Sequence, residues 1–397
     1  MLIEIPYGRK VINVQIEDPI IIKSFHPQKI NNIKSALDKP IESQPLHKLV
    51  KINQKVAIIT SDNTRPCPTH LMLPLILDEL SVAGIGYENI FVVFALGVHR
   101  KITKEEQEFI IGKEIFKKIR CYNSDINNVV HLGVTSNGTP VEIFKRVVDV
   151  DFRIGLGNVE KHYFAGYSGG LKTLVPGVCS HRTIKHNHSL MVDPNAKAGI
   201  LKGNPVREDC EEAAAMLGLD YILNVVLDND NKIVAAAAGD PINAHRWLCN
   251  VVDEFSSNTT KIKADIVLVS AGGYPKDINM HQAQKALNKA FEFVKTNGII
   301  IWVAECSEGF GSEIFKDWMI NYNASEILNK LSKNFVLGGH KAAAIAKILK
   351  KANIWLVSEL PSSLVRSCGL IPYSDVRKAL ADAHNKTGKK NNLAVID

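Results

Sequence analysis

Short apolar runs closed by glycine or a small polar residue recur along the chain, at Val56–Thr60, Ile90–Leu96, Val147–Leu156, Ile266–Ser270, Ile299–Ala304 and Ile354–Val357. Their length, β-branching and lack of polar alternation predict strands buried on both faces, as in parallel sheets. Between them lie stretches with helix-start signals. Thr103-Lys104-Glu105-Glu106 has the form of a capping box, Pro205 sits at a first helical turn before Val206–Leu217, Ser374 precedes Val376–His384, and a further helix is expected from about Met280. Alternation of this kind predicts α/β layers, with helices covering mostly parallel sheets. The polar stretch Phe255–Thr260 is the best boundary. Two α/β domains are therefore expected, residues 1–258 and 259–397, with ligands collected at the carboxyl ends of strands in a cleft between them.

Composition supports this division. At 397 residues the chain exceeds the usual size of one core, and with 46% hydrophobic and 22% charged residues it lacks the signature of long disorder. The net charge of +7 is modest, and the lysines of 341–351 and 386–390 read as solvated helix faces, so nucleic acid is not an expected partner. Seven cysteines are scattered with no CxxC pair, which suggests reduced thiols. No segment approaches a membrane span and the first residues lack a basic, apolar leader pattern, so a cytoplasmic location is expected.

The residues that invite chemistry mostly follow strands. Gly155–Thr173 carries glycines that allow close backbone approach to an anion. Gly166, Lys172 and Thr173 have P-loop spacing, but Leu171 stands where that loop needs glycine, leaving a phosphate-approaching loop or a plain glycine-rich turn with a surface lysine. His162, His181, His186 and His188 cluster in sequence; His186 and His188 offer at most two ligands without a nearby cysteine, so a metal held partly by a non-protein ligand fits better than structural zinc. Asp62 and Arg65 could hold an imidazole and an anion, or salt-bridge within their own turn. His99 ends the next strand. In the second half, His281, Gln282 and Lys285 share one helical face.

Taken in order, SDNTRPCP, GVHR, GNVEKHYFAGYSGGLKTLVPG, KHNH and GGYPKDINMHQAQKA resemble the nickel-dependent lactate racemase family, over roughly Ile5 to Leu360. The resemblance implies an isomerase with a nickel-pincer nucleotide cofactor, covalently attached to Lys172, its nickel coordination completed by His188. It implies that His99 and His162 are the paired acid/base residues, that Arg65 and Lys285 hold the carboxylate, and that Asp62 orients its neighbours. Tyr167, Ser168, Gly169 and Gly170 would approach the nucleotide, and His281 and Gln282 the substrate. Implied partners are a small anionic 2-hydroxy acid and the proteins that build the cofactor. The implied reaction passes hydride to the pyridinium and back while the two histidines exchange protons with the hydroxyl, through a 2-keto acid. His281 stands where the family pattern has tyrosine, and Gly338–Ala344 offers no aromatic wall for a methyl group, so a more polar 2-hydroxy acid is as well accommodated as lactate. A metal-dependent hydrolase using the histidine cluster and a non-catalytic relative are the two alternative classes.

Overall fold

The computed structural model of the chain describes residues 1–22, 29–228, 230–257, 262–333, 336, 338–388 and 391–396. It divides into two compact units, one of residues 25–255, the other of residues 1–24 and 256–397.

The 25–255 unit is built on a six-stranded sheet in the order Ile233–Gly239, Tyr221–Leu227, Phe152–Asn158, Val56–Ser61, Ile90–Ala95, Arg120–Asn123. All neighbours are parallel except the antiparallel edge strand Ile233–Gly239. Phe152–Asn158 is buried at every position and Val56–Ser61 at all but the last, as strands covered on both faces must be. Chain order reverses at Val56–Ser61: the following strands lie to one side, and Phe152–Asn158 returns on the other. The carboxyl ends of Val56–Ser61 and Phe152–Asn158 thus form a topological switch point, where open α/β sheets bind ligands.

The second unit has its own six-stranded, all-parallel sheet, ordered Ile371–Tyr373, Asn353–Val357, Val294–Val303, Ala264–Ser270, Leu393–Ile396, Ile20–Ile22. Residues 1–24 therefore leave the first domain expected from sequence. Ile20–Ile22 pairs with Leu393–Ile396, and Ile5, Tyr7, Val14 and Ile16 are buried in one cluster with Ile266 and Leu268. Gly8 N donates to Asp277 Oδ2 at 2.7 Å, and Ser270 Oγ to the Pro6 carbonyl at 2.6 Å. The expected boundary at 258/259 lies outside the described residues.

The capping box holds: Thr103 Oγ1 accepts from Glu106 N, and the Glu106 carboxylate from Thr103 N. Asn204 caps Pro205–Ala215, with proline in the first turn. The run Val147–Leu156 is not one strand. Lys145–Val148 closes a short helix and the strand begins at Phe152. The helix expected from Met280 is two segments, Met280–Ala283 and Lys285–Phe291, joined at Gln284. Among the described residues no helix is long and apolar enough to cross a membrane.

Candidate active site

Three adjacent strands supply the site of the 25–255 unit. Val56–Ser61 runs into Asp62 and Arg65, Ile90–Ala95 into His99, and Phe152–Asn158 into the long loop that ends at Lys172. Asp62 is almost wholly buried, with 3% of its side chain exposed, whereas the His99 side chain is 50% exposed. Asp62 Oδ2 lies 2.6 Å from His99 Nδ1, and its other oxygen accepts from Thr64 Oγ1 at 2.7 Å and Thr64 N at 3.1 Å. Burial alone would raise this carboxyl's pKa; the bonds from His99 and Thr64 outweigh it, and the net shift is downward. A carboxylate held ionised only accepts, so His99 Nδ1 carries the hydrogen, and the neutral form of the ring has its lone pair on Nε2. Arg65 lies across the switch point, its Nη1 3.2 Å from Glu160 Oε1, which joins the two loops.

The second part of the site is arranged round one ring. Phe164 is 3% exposed. His162 stands edge-on to it with centroids 4.5 Å apart, His188 edge-on at 5.0 Å, and Lys172 Nζ lies 5.6 Å from its centroid. The three side chains singled out in the glycine-rich and histidine-rich segments therefore converge. Burial pushes the Lys172 amine down to about 7, with the guanidinium groups of Arg207 and Arg65 adding to the fall and Cys210 opposing it. Burial, then the charges of Lys172 and Arg65, hold the His162 imidazole well below its ordinary value. Its Nδ1 accepts from Ala165 N at 3.3 Å, so the neutral ring keeps its hydrogen on Nε2.

The loop itself is held from beneath by side chains that sequence reading left unassigned. Arg207, fully buried, donates from Nε to the Ala165 carbonyl at 3.2 Å and from Nη2 to that of Tyr167. His245 Nε2 donates to Ser168 O at 2.8 Å, and Asn224 Oδ1 accepts from Gly170 N at 2.7 Å. Gly170 has φ +59°, and a Cβ there would fall 2.7 Å from the His245 ring. Gly169 has φ +71°, and a Cβ would meet Asn224 Oδ1 at 2.7 Å. Glycine is therefore required at both positions by backbone conformation and by the protein behind the loop. Ser168 N donates to Glu160 O, Ser168 Oγ to Asn158 O, and Tyr167 Oη to Asp253 at 2.5 Å. The backbone N–H groups of Tyr167, Ser168 and Gly170 thus have partners within the protein. What the loop delivers is a fixed Lys172, on the short turn Gly170–Thr173.

His188 lies on the helix His181–Ser189, capped by Ser180. His186, on the same helix, has its Nδ1 2.9 Å from Thr139 Oγ1. His181 is exposed. Among the described residues no three His, Cys, Asp or Glu side chains gather as a metal site. In the other unit His281 stands edge-on to Phe315 at 5.5 Å, and burial, with the cations of Lys341 and Lys285, pushes its imidazole down to about 4. Gln282 and Lys285 are exposed.

A half-buried amine of low basicity, the His162 and His188 rings beside it, and the Asp62–His99 pair at the carboxyl edge of the doubly wound sheet make up the candidate active site. The lactate racemase N-terminal domain family matches residues 7–199, and the lactate racemase C-terminal domain family residues 259–397. The lactate racemase of Thermoanaerobacterium thermosaccharolyticum is 32% identical to the chain, covering 99% of it and 97% of that protein, and the lactate racemase of Lactiplantibacillus plantarum gives the same figures. The solved lactate racemase apoprotein of T. thermosaccharolyticum superposes with a TM-score of 0.88 over 100% of this chain and 98% of its own. A Thermotoga maritima protein, 17% identical, shares the fold at a TM-score of 0.64, over 89% of this chain and 96% of its own. The chain belongs to the lactate racemase family and is an isomerase.

Proposed function

We propose that this racemase inverts C2 of a small 2-hydroxy acid, lactate or a more polar analogue, with a nickel-pincer nucleotide joined to Lys172 and its nickel completed by His188. The observation that carries the reading is the convergence of Lys172, His162 and His188 on Phe164. The residues fit such a group. A lysine brought down to about 7 is about half neutral near neutral pH, far more than an ordinary lysine, and the neutral amine is the nucleophile that a covalent linkage requires. Since no three ligating side chains gather among the described residues, His188 suits a metal whose remaining ligands come from the cofactor. When bound, the cofactor supplies a reversible hydride acceptor.

The protein's part is proton transfer and placement. His99, turned by Asp62, offers a bare Nε2 to take the substrate's hydroxyl proton. His162 starts neutral because burial and the neighbouring cations disfavour its charge. Converting Lys172 to an uncharged amide-type linkage would remove the largest of these charge contributions and ease protonation of His162, which must give a proton on the opposite face. Arg65, with its guanidinium 40% exposed at the switch point, is placed to hold a carboxylate. His281, Gln282 and Lys285 are proposed as substrate residues on family likeness. A neutral His281 would serve there as a hydrogen-bonding group, which favours substrates with polar atoms beyond C2.

The test is a set of chiral 2-hydroxy acids, lactate included, incubated with cofactor-loaded protein and followed by loss of optical rotation. Racemisation of at least one supports the reading; inertness toward all of them contradicts it.

A further inference from the structure

Asp209 is fully buried, yet its carboxylate is richly bonded. It accepts from Thr135 Oγ1 at 2.5 Å, Thr139 Oγ1 at 2.8 Å and Asn187 Nδ2 at 2.8 Å. Asn187 is also fully buried, and its Nδ2 has a second acceptor, the Val206 carbonyl, at 3.0 Å. Two acceptors facing one end of the amide settle which end is nitrogen, since a carbonyl oxygen turned toward them would leave a buried acceptor against two others. Asn187 Oδ1 must then point the opposite way, where it lies 3.1 Å from His188 Nδ1. An amide oxygen can only accept. His188 therefore carries its hydrogen on Nδ1, and in the neutral ring the lone pair is on Nε2.

We infer that Asn187, locked by Asp209, is a positioning residue that holds His188 in its Nδ1–H form and fixes the ring so that Nε2 is the metal-binding nitrogen. The inference rests on the metal-ligand role proposed above for His188. It gives a reason for two buried polar residues in a helix pair that apolar side chains would pack at lower desolvation cost. The pair acts through the ring of His188, as partners behind metal-bound histidines commonly do.

The test has one readout without metal and one with it. In apoprotein carrying 15N-labelled histidine, long-range proton–nitrogen correlation, assigned with His188→Gln, should show Nδ1 protonated and Nε2 bare above the ring's titration. A wild-type apoprotein with the hydrogen on Nε2 would overturn the inference, and this needs no variant to fold. In Asn187→Leu the neutral ring should shift toward the Nε2–H form. Cofactor-loaded Asn187→Leu should keep the mass added at Lys172 but bind nickel about 10–100-fold more weakly on dialysis against a chelator. Nickel retention at the wild-type level in that variant overturns the inference alone. Wild-type protein that takes up no nickel overturns the parent reading together with it.

Discussion

His99 donates from Nδ1 to Asp62 Oδ2 at 2.6 Å, across a boundary between a half-exposed ring and a buried carboxylate. The bond fixes which nitrogen of His99 faces outward. Asp62→Asn, which keeps the shape but can turn its own N–H toward the ring, should lower kcat by roughly 10²–10⁴-fold and leave KM little changed. His99→Ala should cost a similar factor, and the double variant little more, because the two act as a unit. Steady-state kinetics of the three variants decide this; a double loss equal to the product of the single losses would mean independent roles.

The amine of Lys172, pushed to about 7 from an ordinary 10.5, should react with an acylating reagent in the apoprotein with a midpoint near pH 7, well below that of exposed lysines. Peptide mapping after brief labelling measures this. The same shift has a stability consequence. The unfolded chain binds a proton at this residue up to about pH 10.5, and the folded chain releases it near 7, so stability from this group rises with pH across that window. Lys172→Met should therefore raise the apoprotein's Tm at pH 7, with the gain fading toward pH 10.

His162 lies next to that cation, and its pKa is depressed first by burial and then by Lys172. Lys172→Met should raise the His162 pKa in the apoprotein without restoring its ordinary value, because the burial remains. Nuclear magnetic resonance titration of the ring measures the change. No shift between wild type and variant would separate the two residues electrostatically and remove the link between cofactor attachment and the proton-carrying form of His162.

Phe164 is the shared wall for His162, His188 and Lys172. Phe164→Ala should destabilise the apoprotein by about 3–5 kcal/mol, as buried aromatic truncations do. Phe164→Leu, which keeps most of the volume, should cost less in stability yet lower both covalent loading at Lys172 and turnover, since the edge contacts that orient the rings are lost. Denaturant unfolding and intact mass read the two effects separately. Loading of Phe164→Leu at the wild-type level would make the ring a packing residue only.

The strands that carry the site were legible because burial on both faces leaves an unbroken apolar run, as at Val56–Ser61 and Ile90–Ala95. The strands Tyr221–Leu227 and Ile233–Gly239 were less so, the second being mostly alanine, which does not separate strand from helix. Residues 1–24 could not be assigned to the second unit from sequence, because their partners at Leu393–Ile396 are more than 360 residues away. Within the site, Lys172, His162, His188, His99 and Asp62 announce themselves as titratable groups after strands or in a glycine-rich segment. Arg207, Asp209, Asn187, Asn224 and His245 do not. Charged residues in a helix such as Pro205–Ala215 ordinarily face water, and only the fold shows that Arg207 and Asp209 face inward to hold a loop carbonyl and an amide. The glycines at 169 and 170 stand out in the sequence, but that they make room for Asn224 and His245 is visible only in the fold.

The central claim is that Lys172 carries the cofactor and that His188 anchors its nickel. Intact-mass and metal analysis of the chain produced in cells able to make the nickel-pincer nucleotide tests it most directly. The account predicts an added mass mapping to Lys172 and about one nickel per chain, both lost in Lys172→Ala, with nickel alone weakened in His188→Ala. An unmodified chain that racemises a 2-hydroxy acid, or Lys172→Ala protein that keeps both nickel and turnover, would contradict it.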